Sequence, residues 1–419
     1  MKYNVDDKPG AIPMIVYGLQ WWAVSVPSII IIGIIVAKLH FTAPGDQIFY
    51  MQKLFGIVGL TLIIQMIWGH RLPLVVGPAS VLLIGVTACM ASSAAAIYTA
   101  IAIGGIFVSI LAFSGFLAKM QSIFSARVVV VILMLIAYTL SPVILNLIFS
   151  THPLFHLSFA LILVLAMLVG NHLLKGIWKS TIIIWALILG CLVYTVAAPS
   201  SSTFIIHKSH FSLSQLFIFP PEFDIAVILS FLFCFIALII NELGSIQAVG
   251  QLLKVDKIEK RINRGVGMAG ISNTLAGTIG VIGPVDFSMS PGIIAASGCA
   301  SRYPLIPAGI GLLLCAFFPP FISFLSGIPN VVLGSILLYL MASQLAAGMQ
   351  MLVNEKAIYD FSTGLVVGLP LMVAIIISFA PADAINQIPA LIRPILGNGF
   401  VMGIITVILM ERLQAQFNR

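Results

Sequence analysis

The chain has 419 residues, of which 60% are hydrophobic and only 8% are charged. A soluble domain of average composition carries about 25% charged residues, so this composition excludes a soluble globular protein. The net charge of +7 does not indicate nucleic-acid binding, because the basic residues lie at the ends of apolar segments.

Apolar runs long enough to cross a bilayer recur along the whole chain and predict a polytopic α-helical membrane protein. The third and tenth of the fourteen predicted spans are irregular, because Gly, Pro and polar residues interrupt them. The predicted spans cover about 12–37, 49–69, 73–93, 96–118, 126–147, 155–174, 180–198, 225–248, 264–282, 284–301, 304–326, 329–350, 360–380 and 396–412.

The distribution of Lys and Arg supports this count. With the N-terminus in the cytoplasm, sixteen of the twenty basic residues fall on the inner side, and Lys38, Lys53, Lys208 and Arg393 fall outside. The positive-inside rule favours this orientation, with both termini in the cytoplasm. The most charged segment, residues 251–265, is interpreted as a solvated cytoplasmic connector.

The tenth span is the most unusual stretch of the chain. Gly283 and Pro284 interrupt it, and Asp286 places a carboxyl group at membrane depth. Ser290 is a candidate N-cap for a new helix that starts at Pro291. Irregular backbone is tolerated at this depth only beside protein or a water-filled cavity, so the span predicts a binding site.

A short internal repeat marks the two irregular spans. Residues 75–78 read VVGP and residues 281–284 read VIGP, an offset of 206 positions that is close to half the chain. Each copy starts the third span of a seven-span half. Because seven is odd, the halves have opposite orientations, which is the inverted-repeat plan of secondary transporters.

Glu242 in the eighth span and Asp286 in the tenth are the clearest ionisable residues inside spans. A carboxylate at membrane depth costs at least about 2 kcal/mol, so it needs a partner, a cavity or a proton. Both residues are therefore candidates for carrying a coupled proton. The structural alternatives are that Glu242 is a hydrogen-bonding partner and that Asp286 caps the interrupted backbone.

Asn241 and Ser245 lie beside Glu242 and share one helix face, whereas Glu242 points about 100° away. We expect one set to face the substrate and the other to face a neighbouring helix. The Asn241 amide both donates and accepts, which suits a heterocycle edge with alternating C=O and N–H groups.

Gln20, Trp21 and Trp22 place polar and aromatic groups in the first span. A tryptophan there is either a membrane-interface anchor or a site residue. The buried amide of Gln20 needs partners in either case.

Five segments resemble motifs of the nucleobase–ascorbate transporters, the family of uracil and xanthine permeases. YGLQWWAVSVP resembles the family's GLQH motif, and NELGSIQAV its ESIGD-type motif. NRGVGMAGISNTLAGTIG resembles RGLLADGLGTLLAGLFG. The two most specific matches are SMSPGIIAASGCASR, which is similar to ENIGVIALTGVASR-type signatures, and IPNVVLGSILLYLMASQLAAGMQML, which resembles IPxPVLGG followed by FGxIxxxGIxxL.

The resemblance implies an all-α membrane fold of seven plus seven spans, with short extended strands in spans 3 and 10 that cross near the substrate. It implies a core domain (1–120 and 223–327) that moves against a gate domain (121–222 and 328–419). It also implies a nucleobase substrate, often carried with a proton, and is compatible with a homodimer.

At the family's site positions this chain differs. The base-binding Glu falls on Asn241, the signature's Glu or Gln on Met289, and the ninth-helix Asp on Ala269. Glu242 and Asp286 lie nearby, so the substrate and the coupling ion stay open. The implied substrate-binding residues are Gln20, Trp21, Ser80, Leu82, Asn241, Ser245, Phe287, Ser288, Met289 and Ser290.

The sequence thus predicts a secondary transporter of a nucleobase, such as xanthine or uracil, in the plasma (inner) membrane. Motifs of enzymes are absent from it, so we expect no enzyme activity, and no cofactor, metal or nucleic-acid partner. Two alternatives stay open. One is an anion transporter of the sulfate or dicarboxylate type on the same fold, and the other is a membrane receptor that transports nothing.

Overall fold

The computed structural model describes residues 2–117, 125–149, 152–175, 178, 182–197, 216–217, 219–287, 290–389 and 392–417. These residues form helices and one pair of short strands. The helices are α1 (Ala11–His40), α2 (Pro44–Ile67), α3 (Ser80–Ala88), α4 (Ala94–Phe113), α5 (Ala126–Thr139), α6 (Ser141–Ile148), α7 (Pro153–Leu173), α8 (Ile182–Ala197), α9 (Ile225–Leu252), α10 (Ile258–Thr278), α11 (Ser290–Ser297), α12 (Leu305–Ala316), α13 (Pro319–Ser326), α14 (Asn330–Asn354), α15 (Phe361–Ser378), α16 (Ala382–Asn386), α17 (Arg393–Leu396) and α18 (Gly399–Phe417). The strands are β1 (Val75–Pro78) and β2 (Pro284–Phe287).

The predicted class, an all-α polytopic membrane protein with two interrupted spans, is confirmed. Within the described residues, eight helical stretches are long and apolar enough to cross a membrane. Each predicted span overlaps a helix or a strand followed by a helix. The total of fourteen crossings stays a prediction.

The two interrupted spans form matching units, each a four-residue strand followed by a short helix. β1 and β2 pair antiparallel, with Val76 opposite Asp286 and Pro78 opposite Pro284. The N–H of Ala79 continues the ladder to the carbonyl of Gly283 at 2.9 Å. Because antiparallel pairs alternate, the backbone groups of Pro284 and Asp286 point away from β1.

The strands are not aligned as the sequence repeat suggested. VVGP forms β1, whereas β2 starts at the last residue of VIGP. The first residues of the two strands are therefore 209 positions apart, whereas the VVGP and VIGP sequences are 206 positions apart. The shared Gly-Pro lies at the end of β1 and at the start of β2, positions where a proline without an N–H is tolerated.

Two pairs of helices that are related by an offset of seven spans pack in the same way. α4 packs on α10, and α2 packs on α12. A Cβ on Gly105 of α4 would lie 2.6 Å from the carbonyl oxygen of Gly270 of α10, and one on Gly59 of α2 would lie 2.8 Å from that of Gly309 of α12. Small residues allow such close contact between membrane helices. These pairs are spans 4 and 9 and spans 11 and 2, as an inverted repeat of seven requires.

Residues 2–8 run alongside the end of the second strand–helix unit. The N–H of Lys2 donates to the carbonyl of Gly298, and the N–H of Ala300 donates to that of Tyr3. Arg302 Nε lies 2.9 Å from Asp6 Oδ1. This N-terminal segment, residues 2–8, therefore holds the chain just after α11.

Candidate substrate site

β2 has one edge paired with β1, and polar side chains of α9 and α10 cover the other. The Asn273 amide on α10 donates to the carbonyl of Pro284 at 2.8 Å and to that of Ala269 in its own helix at 2.8 Å. Pro284 has no N–H to satisfy. Lipid offers no partner to a strand edge, so these side chains make the irregular backbone possible.

Three side chains of α9 converge on the backbone of Asp286. Glu242 Oε1 accepts its N–H at 3.1 Å. Asn241 and Ser245 donate to its carbonyl at 3.0 and 3.1 Å. Both sets therefore contact β2, because the strand presents N–H and C=O along an edge that both helix faces reach. Which set faces the substrate stays a prediction. The side chains of α9 thus satisfy the backbone groups of the interrupted span.

The Asp286 side chain faces His70, which follows α2, and does not cap the break. His70 Nε2 lies 3.1 Å from Asp286 Oδ2, and both residues are buried. His70 Nδ1 accepts the N–H of Leu72 at 2.9 Å, so a neutral ring carries its proton on Nε2. The contact is close but not aligned as a hydrogen bond.

The first turns of α10 support this contact. Arg261 Nη1 donates to the carbonyls of His70 and Arg71 at 3.1 and 2.9 Å. The helix itself begins at Ile258. Most of residues 251–265 are exposed or half-buried, as expected of a solvated connector, and Arg261 in its helical second half holds the segment that carries His70.

The site contains polar atoms with unused bonding capacity. Glu242 is fully buried, and Asp286 is 1% exposed. Glu242 Oε2 and Asp286 Oδ1 have no hydrogen-bond partner among the described residues. Glu242 Oε1 lies 3.1 Å from the backbone nitrogen of Asp286, so the two carboxyl groups occupy the same buried region. Buried like charges repel, so this pair is suited to bind a proton or the N–H groups of a ligand.

The start of α11 is joined to both strands. The buried Ser290 hydroxyl accepts the N–H of Val75 at 3.0 Å and donates to the carbonyl of Phe287 at 2.8 Å. The Phe287 ring lies over Gly77, where a Cβ would be 2.5 Å from ring carbons. The predicted Ser288 and Met289 lie outside the described residues.

The predicted site residues in the first half of the chain differ in their burial and in their contacts. Gln20 is buried, and its Nε2 has no partner among the described residues. Trp21 is 1% exposed, which contradicts the alternative of a membrane-interface anchor. On α3, Ser80 is half-buried, whereas Leu82 is fully buried beside Gly283.

Sequence reasoning missed His70 and Asn273. His70 lies five residues before β1 and is completely buried. Asn273 lies inside a predicted span, where a carboxamide needs a hydrogen-bond partner. That signal was present and could have identified it. Among the described residues, no group of three or more His, Cys, Asp and Glu residues could hold a metal ion.

The molecule also contains a cavity of about 540 Å³. It lies between α1 and α3 on one side and α5, α6, α14 and α15 on the other. None of the described predicted site residues lines it. The β1–β2 region and this cavity are therefore two distinct regions.

Comparison with known proteins gives a family. A model of the permease family for xanthine and uracil matches residues 13–383. A Clostridium perfringens protein named as a purine permease is 26% identical over 98% of this chain and 92% of its own length. The uric acid transporter UacT of Escherichia coli is 23% identical over 61% of this chain and 52% of its own length.

The fold is similar to that of solved transporter structures. The transmembrane domain of the cyanobacterial bicarbonate transporter BicA aligns over 90% of this chain and 98% of its own, with a TM-score of 0.67 and 16% identity. The murine anion transporter Slc26a9 aligns over 99% of this chain and 70% of its own, with a TM-score of 0.59 and 14% identity. At these identities the similarity concerns the fold alone. The match over most of the sequence shows that the chain is a divergent member of the uracil/xanthine permease family.

Proposed function

We propose that this permease is a secondary transporter that carries a purine or pyrimidine base by alternating access, with a proton as the coupling ion. The observation that carries the proposal is the convergence of Asn241, Ser245 and Glu242 on Asp286 at the crossing of the two strands. The relatives named as purine and uric acid transporters support the class of substrate.

In this proposal, the base binds where unused polar atoms already lie. Glu242 Oε2 and Asp286 Oδ1 accept N–H groups of the base, and Gln20 Nε2 donates to a carbonyl. Asn241 exchanges its bond to the Asp286 carbonyl for one to the base, while Ser245 keeps that carbonyl satisfied. A proton shared by the two carboxyl groups relieves their repulsion and is released with the base.

The proposed movement separates two groups of helices. α1–α4 and α9–α12 pack mainly with one another, as do α5–α8, α14, α15 and α18. We assign the first group to the core domain and the second to the gate domain. The gate domain is also the proposed surface for a homodimer, and both termini are proposed to lie in the cytoplasm.

The test is uptake of labelled xanthine, uracil and urate by Asn241→Ala in cells and in proteoliposomes with an imposed pH gradient. We expect uptake to fall at least about tenfold, because the variant loses one hydrogen bond to the base. Its expression and melting temperature should stay near those of the native protein, because Ser245 still donates to Asp286.

Thr61→Ala is the matched control. It removes a buried hydroxyl that bonds only to Ile57 within its own helix, so its uptake should be native. Native uptake by Asn241→Ala would contradict the site. Uptake of sulfate or dicarboxylates in place of bases would favour the anion transporter, and ligand binding without flux would favour the receptor.

A further inference from the structure

The cavity of about 540 Å³ has the size of a small-molecule site. Its walls come from both proposed domains, and most of its lining atoms are apolar. Its polar lining groups include Lys38 and Thr87 on one wall and Thr139, Asn146, Asn330 and Ser378 on the other. A planar molecule with a few polar atoms would fit such walls.

Lys38 gives the cavity its charge. Among the residues that line it, Lys38 is the sole Lys, Arg, Asp or Glu. Its Nζ donates to Asn330 Oδ1 at 2.7 Å, across the two walls. Asn330 is neutral, so the ammonium charge has no carboxylate here to balance it.

The charged group of this cavity is a hydrogen-bond donor, whereas the carboxyl groups beside the β1–β2 pair are acceptors. There, Glu242 and Asp286 present oxygen atoms and favour N–H groups. Here, Lys38 Nζ is a charged donor, which favours a carbonyl or a negatively charged oxygen. One ligand class suits both regions in turn, namely an oxopurine that binds first as an anion and then through its N–H groups.

We propose that the cavity is a second binding site, which takes an anionic oxopurine such as urate and holds its negative edge on Lys38. The bond between Lys38 and Asn330 is then exchanged for bonds to the ligand. This inference rests on the proposed function, because it places the second site on the route to the strand crossing. It makes Lys38 a residue that discriminates bases by charge.

The test compares urate, an anion at neutral pH, with hypoxanthine, which is uncharged. We expect Lys38→Gln to raise the KM for urate uptake about tenfold, the effect of one charge-assisted hydrogen bond. Its KM for hypoxanthine should stay native. Lys38→Arg keeps the charge and should stay within about twofold of native for urate.

Asn330→Ala tests whether Lys38 binds a ligand or only joins the two walls of the cavity through its hydrogen bond to Asn330. It removes the partner of Lys38 and keeps the charge, so discrimination between urate and hypoxanthine should persist. Equal changes for both bases in Lys38→Gln, or loss of discrimination in Asn330→Ala, would overturn the second site.

Binding of labelled urate to the purified full chain keeps this inference separate from the proposed function. If the native protein carries no base, the proposed function fails, and the binding assay still decides on the cavity. Urate binding that Lys38→Gln weakens about tenfold supports the second site. Absent binding, or binding that Lys38→Gln leaves unchanged, overturns it.

Discussion

The two strand–helix units have the same backbone plan and very different chemistry. β1–α3 reads VVGP, Ala79 and SVLLIGVTA, and its strand carries no polar side chain. β2–α11 carries Asp286 within its strand, whereas both helices start with a serine, Ser80 and Ser290. The inverted repeat therefore supplies a symmetric scaffold, and the second half supplies the ionisable group at its centre.

The first half contributes to the site from outside its strand. His70, five residues before β1, lies against Asp286, which belongs to the other half. The antiparallel pairing brings these positions together, because it places the start of β1 beside the end of β2. A crossing of two short strands thus unites polar groups that lie more than 200 positions apart in the sequence.

The strongest test of this asymmetry substitutes one residue in each strand, at two positions that lie opposite each other in the β1–β2 pair. Asp286→Asn keeps the size of the side chain and removes its charge. Because Asp286 is proposed to share the coupled proton with Glu242, we expect proton-driven uptake to fall about 100-fold, or about 2.7 kcal/mol in the barrier. The melting temperature should stay near native, since the backbone bonds to α9 do not involve the carboxyl group.

Val76→Ala is the matched variant, because Val76 lies opposite Asp286 and is also fully buried. It loses two methyl groups, so the free energy of unfolding should fall by about 2 kcal/mol. The KM of the remaining folded protein should be native. If both variants lost uptake to the same degree, the chemical asymmetry between the strands would have no functional meaning.

The sequence was sufficient to predict the fold class, because each membrane span carries a local sequence signal. Apolar runs identify the spans, and Gly280, Gly283 and Pro284 identify the break in the tenth span. The exact alignment of the repeat was not accessible, because strand limits depend on pairing. VIGP contributes only its proline to β2, since Asn273 and α9 determine which residues form the strand edge.

The site was predicted less well, because its bonds are long-range. The sequence singles out Asn241, Ser245 and Glu242 as polar residues within a span. Their shared partner is the backbone of Asp286, and backbone groups carry no sequence signal. The role of His70 depends on the path of the chain after α2, which residue spacing does not specify.

Asn273 provides a smaller test, directed at the covered edge of β2. Asn273→Ala leaves the carbonyl of Pro284 buried without its donor. We expect the free energy of unfolding to fall by about 1–3 kcal/mol. Thermal unfolding of the purified protein measures this loss, which should also lower uptake by displacing β2.

Ser272→Ala is the neighbouring control. Ser272 is fully buried, and its hydroxyl has no hydrogen-bond partner among the described residues. Removing an unsatisfied hydroxyl should leave stability unchanged or slightly higher. A larger loss in Ser272→Ala than in Asn273→Ala would show that the amide is not what holds the strand edge.

The smallest expected effect concerns the N-terminal segment, which contacts the second unit through residues 298–302. Asp6→Asn removes the ion pair with Arg302, in which the Asp6 side chain is 62% exposed. Solvent screens such a pair, so the free energy of unfolding should change by less than about 1 kcal/mol. The backbone bonds of Lys2 and Ala300 remain.

Arg302→Ala should have the larger effect of the two. It also removes the bond from Arg302 Nη1 to the carbonyl of Met66 at 2.9 Å, near the end of α2. That bond joins the segment after α11 to the chain that leads to His70, so its loss should alter uptake as well as melting temperature. If Asp6→Asn destabilised the protein as much as Arg302→Ala, the N-terminal segment would be an essential part of the second unit, and the asymmetry between the halves would extend beyond the strands.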